Sequence, residues 1–142
     1  MDAIIAKIRK NSREDIWITR GEYHGKDTVH VRIYYRDTGG VFATRKGIAV
    51  TPTDLAKLTT ALNRAVGGNA SEQKPDVIAK NARERIHVYA AEFAGHPLIH
   101  ARTYYRDADD GAWKPTPKGV AISPDSIPRL IEALESAERV NA

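Results

Sequence analysis

The chain contains no cysteine. That removes disulfide frameworks, zinc fingers, thiolate clusters and cysteine nucleophiles from consideration. It also lacks a long hydrophobic run: its apolar stretches are a few residues each, far short of the roughly 20 that span a bilayer. The N-terminus, MDAIIAKIRKN, has no basic region followed by a long apolar stretch, so no secretory signal is expected. With no cysteine and no signal, the expected location is the cytoplasm, in association with the nucleoid, or the nucleus in a eukaryote. No Gly-rich phosphate loop, no G-x-S-x-G and no H-E-x-x-H occur. The segment Asp107-Ala108-Asp109-Asp110-Gly111 is similar to part of a calcium loop. Lys118 stands where the bidentate Glu would be, so it reads as a polar turn. Neither metal nor cofactor is expected, and no enzymatic activity.

What is present is a mildly basic chain of 142 residues, with 22 Lys+Arg against 18 Asp+Glu, net +4. The charge is uneven: residues 1–66 hold 12 Lys/Arg and 7 Asp/Glu (+5), and residues 67–142 hold 10 and 11 (−1). A basic balance permits a nucleic-acid partner without requiring one.

The most informative feature is an internal repeat. KNSREDIWITRGEYHGKDTVHVRIYYRD, residues 10–37, returns at 80–107 as KNARERIHVYAAEFAGHPLIHARTYYRD, an offset of 70. TRKGIAVTPTDLAKLTTAL, residues 44–62, returns at 116–134 as TPKGVAISPDSIPRLIEAL, an offset of 72. The second copy therefore has two extra residues in the loop between. Residues 1–66 form a first unit, 67–75 a polar Gly/Ser-containing linker, and 76–142 a second unit. A unit of about 60 residues is marginal alone, so the two copies are expected to pack as a pseudo-symmetric dimer within one chain.

Each unit reads as four strands and a helix. Ile16–Thr19 alternates into a strand, and Val29, Val31 and Ile33 alternate with His30, Arg32 and Tyr34 in a second. Val41–Arg45 and Gly47–Val50 read as two further short strands. Thr51-Pro52-Thr53-Asp54 opens a helix, with Thr51 as N-cap and Asp54 near its positive end. Leu55, Leu58, Leu62 and Val66 form its apolar stripe, matched by Leu130, Ile131 and Leu134, with Pro128 delaying the second helix. Met1–Arg9 and Asp76–Lys80 read as short leading helices. The class is α+β: two tandem β-β-β-β-α units with curved antiparallel four-stranded sheets.

Alternation sorts the second strand into an apolar face, Val29, Val31, Ile33 and Tyr35, and a polar face, His30, Arg32, Tyr34 and Arg36. The second copy's polar face is His100, Arg102, Tyr104 and Arg106. Arg neutralises phosphate and an aromatic ring stacks on an unpaired base, worth roughly 1–3 kcal/mol per base. A duplex hides its base faces, so such a surface favours single strands. A solvated face whose Arg and Tyr merely pair across strands is the plain alternative. Lys26, Arg45 and Lys46, with Lys114 and Lys118 in the second unit, are placed to line the same groove. His30 and His100 are candidates for a pH-dependent phosphate contact. Glu14/Glu84 and Asp37/Asp107 are expected to pair with Arg13/Arg83 and Arg36/Arg106.

These residues carry a family resemblance. Tyr23-His24-Gly25, Val31-Arg32-Ile33-Tyr34-Tyr35-Arg36-Asp37 and Lys46-Gly47-Ile48-Ala49-Val50 resemble the positive cofactor four family of transcriptional coactivators. Phe93-Ala94-Gly95, Ala101–Asp107 and Lys118–Ile122 repeat the pattern, so the resemblance covers nearly both units. It implies single-stranded DNA binding and pairing of two β4α units, here fused. By position it implies base stacking by Tyr35 and Tyr105, and site roles for Tyr23, Phe93, Arg32, Arg102, Lys46, Lys118 and Lys114. Alternation points Tyr35 to the core; the resemblance points it to the ligand. The family's acidic, Ser-rich tail is absent, which favours a bacterial or phage relative. The expected activity is non-enzymatic binding of single-stranded DNA with little sequence preference, in transcription, replication or repair, alongside proteins of those processes. Single-stranded RNA binding and a purely structural or protein-interaction role are the alternatives.

Overall fold

The computed structural model describes residues 2–139. The order is β1 (Ala3–Arg9), β2 (Glu14–Tyr23), β3 (Lys26–Asp37), β4 (Gly40–Val50) and α1 (Leu55–Val66), then β5 (Asp76–Ala79), β6 (Glu84–Phe93), β7 (His96–Arg106), β8 (Trp113–Ile122) and α2 (Ile127–Arg139). Each unit is an antiparallel four-stranded sheet in sequential order followed by a helix: sheet A from β1 to β4, sheet B from β5 to β8.

Two elements differ from the sequence reading. The segments read as leading helices are the edge strands β1 and β5. In β1, Ile8 is buried opposite Ile16 while Lys7 sits opposite Trp17, so a period of two governs the pairing. The two short strands read in residues 41–50 are one strand with a bulge. Thr44, Arg45 and Lys46 stand opposite Ile33 alone. Thr44 Oγ1 donates to the Ile33 carbonyl at 2.7 Å and accepts from the Lys46 N–H at 3.1 Å. Thr116 repeats both bonds, to the Thr103 carbonyl at 2.7 Å and from the Lys118 N–H at 3.1 Å. The bulge returns to register at Gly47 and Gly119, where a Cβ would lie 2.9 and 3.0 Å from the carbonyl oxygens of Val31 and Ala101. The shared T-x-K-G is therefore a backbone device that throws a lysine out of the ladder.

The helices begin with a 3₁₀ turn, Pro52–Asp54 and Pro124–Ser126, and the α-helices follow at Leu55 and Ile127. Pro128 causes no delay: it sits in the first helical turn, where its missing N–H would have no partner. The Thr51 side chain makes no cap bond. Buried positions match at an offset of 72, Leu55, Leu58, Ala61, Leu62 and Ala65 against Ile127, Leu130, Ala133, Leu134 and Ala137. Val66 is exposed rather than part of the stripe.

Each helix packs on the other unit's sheet. α1 lies on β5, β6 and β7; α2 lies on β1 and β2; β4 meets β8 and the two helices meet each other. Both units thus share one core. Arg20 on β2 donates to the Ala137 carbonyl in the last turn of α2 at 2.6 Å, while bidentate pairing with Asp27 orients it. Arg64 in the last turn of α1 pairs with Asp76 of β5 at 2.8 Å. The linker is docked: Ala70 is buried, its carbonyl accepts the Ala90 N–H at 3.0 Å, and Ser71 bridges to Ala90.

Candidate nucleic-acid interface

The inner face of each sheet supplies the core, with Ile16, Ile18, Val31 and Ile33 in sheet A and Ile86, Val88, Ala101 and Thr103 in sheet B. The outer face carries the polar sets. Register places Asp15 beside Tyr34, Trp17 beside Arg32, Thr19 beside His30 and Tyr23 beside Lys26. Sheet B places Arg85 beside Tyr104, His87 beside Arg102, Tyr89 beside His100, and Trp113 beside Arg106. One continuous surface thus gathers His30, Arg32, Tyr34, Arg36, Tyr23 and Lys26, and another gathers His100, Arg102, Tyr104, Arg106 and Phe93.

The rings on these surfaces are ordered against one another. Tyr34 stacks on Trp17 with centroids 3.9 Å apart, and the Lys7 ammonium lies 4.2 Å from the Trp17 ring. Tyr104 stacks on His87 at 3.7 Å, and Tyr89 stacks on His100 at 5.1 Å. The Arg85 guanidinium lies over Trp113 at 4.1 Å and donates to His87 Nε2 at 2.8 Å. Each stacked pair adds about 0.5–1.5 kcal/mol beyond its burial, and each occupies one face of Tyr34 or Tyr104. Open rings stand at the hairpin tips: Tyr23 is 57% and Phe93 69% exposed. The tips are tight turns with His24 and Gly25, or Ala94 and Gly95, all at positive φ. Sequence reasoning missed Trp17, Arg85, His87, Tyr89 and Trp113. Extending the alternation of Ile16 and Ile18 by one strand would have put Trp17 on the face of Arg32.

Tyr35 and Tyr105 lie elsewhere. The β2–β3 ladder runs without a shift from Ile16–Ile33 to Glu14–Tyr35, so Tyr35 keeps the inner face of Ile33. It nevertheless meets solvent, because it stands at the end of the strand, beyond the core. Tyr35 is half-buried, its hydroxyl accepting from Arg13 Nη1 at 3.2 Å, and Tyr105 is 40% exposed. Neither a buried core residue nor a bulge-rotated ring describes it.

Several predicted cations are already engaged. Arg36 Nη1 bonds Asp15 at 2.7 Å and Nη2 bonds the Asn11 and Ser12 carbonyls at 3.1 and 3.0 Å, tying the β1–β2 turn to β3. Lys114 pairs with Asp107 at 2.8 Å and Asp110 at 3.2 Å. The expected pairings differ accordingly: Asp107 takes Lys114, Glu14 takes Lys10 at 3.6 Å, and Arg36 takes Asp15. Arg32, Arg102 and Arg106 have no carboxylate at ion-pair distance among the described residues, and Arg45, Lys46 and Lys118 are exposed on the bulges. Burial pushes His30 and His100 below the ordinary histidine range, assisted by Arg32 and Arg102. The shift favours the neutral imidazole and so weakens both as phosphate-binding charges. His96 and His100 are spaced i, i+4, but within strand β7 that separates them by about 13 Å. No group of three or more metal-ligating side chains occurs among the described residues.

His87 sets a pH limit on stability. Burial, then Arg85, lowers it to about 4. The unfolded chain, with its histidine near 6.5, takes up this proton first as pH falls. Stability is therefore full above about pH 6.5 and declines towards pH 4. Thermal melts across that range are expected to show the decline, shallower in His87→Gln; an unchanged slope would remove His87 as the cause.

These features define a tandem β4α protein, a pseudo-dimer in one chain whose two sheets each turn an arginine- and aromatic-bearing face outward. The chain belongs to the Transcriptional Coactivator p15 (PC4) family, which it matches twice, over residues 10–61 and 80–133. Among solved structures it is similar to a PC4 homologue from Burkholderia pseudomallei K96243. The orthorhombic form is 28% identical, with TM-score 0.43, over 46% of this chain and 86% of that one. The tetragonal form is 32% identical, with TM-score 0.43, over 46% of this chain and 97% of that one. Comparison with curated proteins found no match. No helix among the described residues is long and apolar enough to cross a membrane.

Proposed function

We propose that the protein binds single-stranded DNA without catalysis and with little sequence preference, serving transcription regulation, replication or repair. The observation that carries this reading is the outer face of each sheet, where Arg32 and Arg102, without carboxylate partners among the described residues, stand beside Trp17 and His87, and the open rings of Tyr23 and Phe93 stand at the hairpin tips of the same faces. The arginines neutralise phosphates; Tyr23 and Phe93 offer ring planes that only unpaired bases can meet. Family membership supports the same reading. The stacking of Tyr34 on Trp17 and of Tyr104 on His87 holds the surface in place before a ligand arrives.

The test is fluorescence anisotropy with a labelled oligothymidine of about 20 nucleotides, against duplex and RNA of equal length, across a salt series. Single-stranded DNA is expected to bind well above duplex, with log K falling about 0.7 per neutralised phosphate for each unit of log salt. Tighter RNA binding would move the assignment to RNA. No binding to any of the three would leave a family fold that acts through proteins alone.

A further inference from the structure

The two halves are alike in backbone and unlike in surface chemistry, and the difference centres on one pair of repeat positions. Asp15 on β2 is matched by Arg85 on β6. In sheet A the Asp15 carboxylate sits on the outer face, bonded to Arg36 at 2.7 Å and 3.9 Å from Arg9. In sheet B the same position is a guanidinium, held over Trp113 and donating through Nε to His87. Among the described residues its two Nη groups have no protein acceptor, and Arg106 beside it has no carboxylate partner.

Net charge does not favour sheet B. Sheet A carries Lys7, Arg9, Lys26, Arg32 and Arg36 against Asp15, +4, and sheet B carries Arg85, Arg102 and Arg106 against none, +3. Asp2 acts on His30 and Glu72 on His100 from equivalent places, and Lys80 acts on His30 as well. Placement separates them. Two of the five cations of sheet A lie on the edge strand β1, Lys7 against Trp17 and Arg9 reaching Asp15, and Lys26 stands at the hairpin tip beside Tyr23. A phosphate approaching Arg36 also meets the Asp15 carboxylate. In sheet B all three arginines lie on the inner strands β6 and β7, and the edge strand contributes Val77 and Ala79 at the matching positions. Rings flank them: Trp113 under Arg85, and His87 and Tyr104 next to it.

Resting on the proposed function, we infer that the halves bind the strand unequally: sheet B is the primary phosphate-binding face, with Arg85 its determinant, and sheet A is secondary because Asp15 occupies Arg36 and its other cations, Arg32 apart, lie at the edge strand and the hairpin tip. The chain then has a strong and a weak half where two identical subunits would have two equal ones. A bound strand has its phosphates anchored on sheet B and extends towards sheet A.

The same substitution at matched positions tests this. Arg102→Gln and Arg32→Gln change equivalent residues of the two faces, and anisotropy with labelled oligothymidine across a salt series reads both. Arg102→Gln is expected to lower affinity about tenfold and to reduce the salt slope by about 0.7, and Arg32→Gln to lower affinity about twofold. Asp15→Asn is expected to raise affinity about threefold by removing the opposing charge, and Arg85→Gln to lower it about tenfold. Far-ultraviolet circular dichroism and melting temperature confirm that each variant is folded, and Arg102→Lys and Arg85→Lys retain the charge if geometry is disturbed. Equal losses at Arg32 and Arg102, or a larger loss at Arg32, overturn the inequality while leaving single-strand binding in place. Failure of the unaltered protein to bind overturns the functional reading itself.

Discussion

Residues 1–67, produced alone, will not form a folded monomer. The reason is the exchange of helices between units. In the intact chain α1 buries Leu55, Leu58 and Leu62 on β5 and β6, while α2 covers the inner face of β1 and β2. A lone first unit keeps its sheet and helix but loses the partner of each. Exposing a buried leucine forfeits about 1.5–3 kcal/mol, so the three leucines of α1 forfeit roughly 5–9 kcal/mol. That is comparable to the whole stability of a small domain, about 5–15 kcal/mol. The uncovered Ile8, Ile16 and Ile18 add to the deficit. Because the helix positions repeat with an offset of 72, a second copy of the first unit offers a similar helix to the same sheet. The expected result is an unfolded monomer on dilution and structure only with association, read by circular dichroism and sedimentation over a concentration series. Mixing with residues 68–142 should restore folding. A compact, cooperative monomer of residues 1–67 would show that α1 folds back onto its own sheet and that the exchange is wrong.

The same exchange marks what the sequence could and could not disclose. The repeat with offsets of 70 and 72 is visible in the letters alone, and so are the extra residues of the β7–β8 connection, which spans 107–112 against 38–39 in the first unit. The strands that line the core were legible because Val29, Val31 and Ile33 alternate with polar residues. The edge strand β1 was not, since Ile4-Ile5-Ala6 is apolar at consecutive positions and a register shift lies between Ile4 and Ala6. Pairing with β2, a long-range matter, makes it a strand. The bulge was read as a break because T-x-K-G interrupts alternation. Only the hydrogen bonds from Thr44 and Thr116 show that the strand continues. Which sheet each helix covers is invisible to periodicity: Leu55, Leu58 and Leu62 declare an apolar face and nothing about its partner. At the site, residue types on β3 and β7 were legible and their availability was not. In sequence Lys114 looks like a free cation and Arg36 like the partner of Asp37 or Glu14, and they are held by Asp107 with Asp110 and by Asp15.

Tyr23→Ala combined with Phe93→Ala is expected to weaken single-strand binding about thirtyfold or more without lowering the melting temperature. Both rings project from hairpin tips and are among the most exposed large apolar groups described, at 57% and 69%. Their removal uncovers little core. Exposed rings of this kind lack an evident packing role, and the ring neighbours of Tyr23 among the described residues are His24 and His30, edge-on at 4.3 and 5.6 Å. If each stacks on one base, its loss costs roughly 1–3 kcal/mol, or 2–6 kcal/mol for the pair, and 2 kcal/mol is already about thirtyfold. Tyr35→Ala with Tyr105→Ala is the informative comparison. The resemblance assigns stacking to these two rings, but they occupy the inner face at the strand ends, and the Tyr35 hydroxyl is bonded to Arg13. A strand following the arginines of the outer face reaches them only by crossing the end of the sheet. Their joint loss is therefore expected to weaken binding about tenfold at most. The ranking decides the path of the strand. A larger loss at Tyr35 and Tyr105 would place it across the strand ends, next to the bulge lysines Lys46 and Lys118, with Arg32 and Arg102 reached only at the margin. The ranking expected here keeps it on the outer faces, where Arg32, Arg102 and Arg106 stand without carboxylate partners among the described residues.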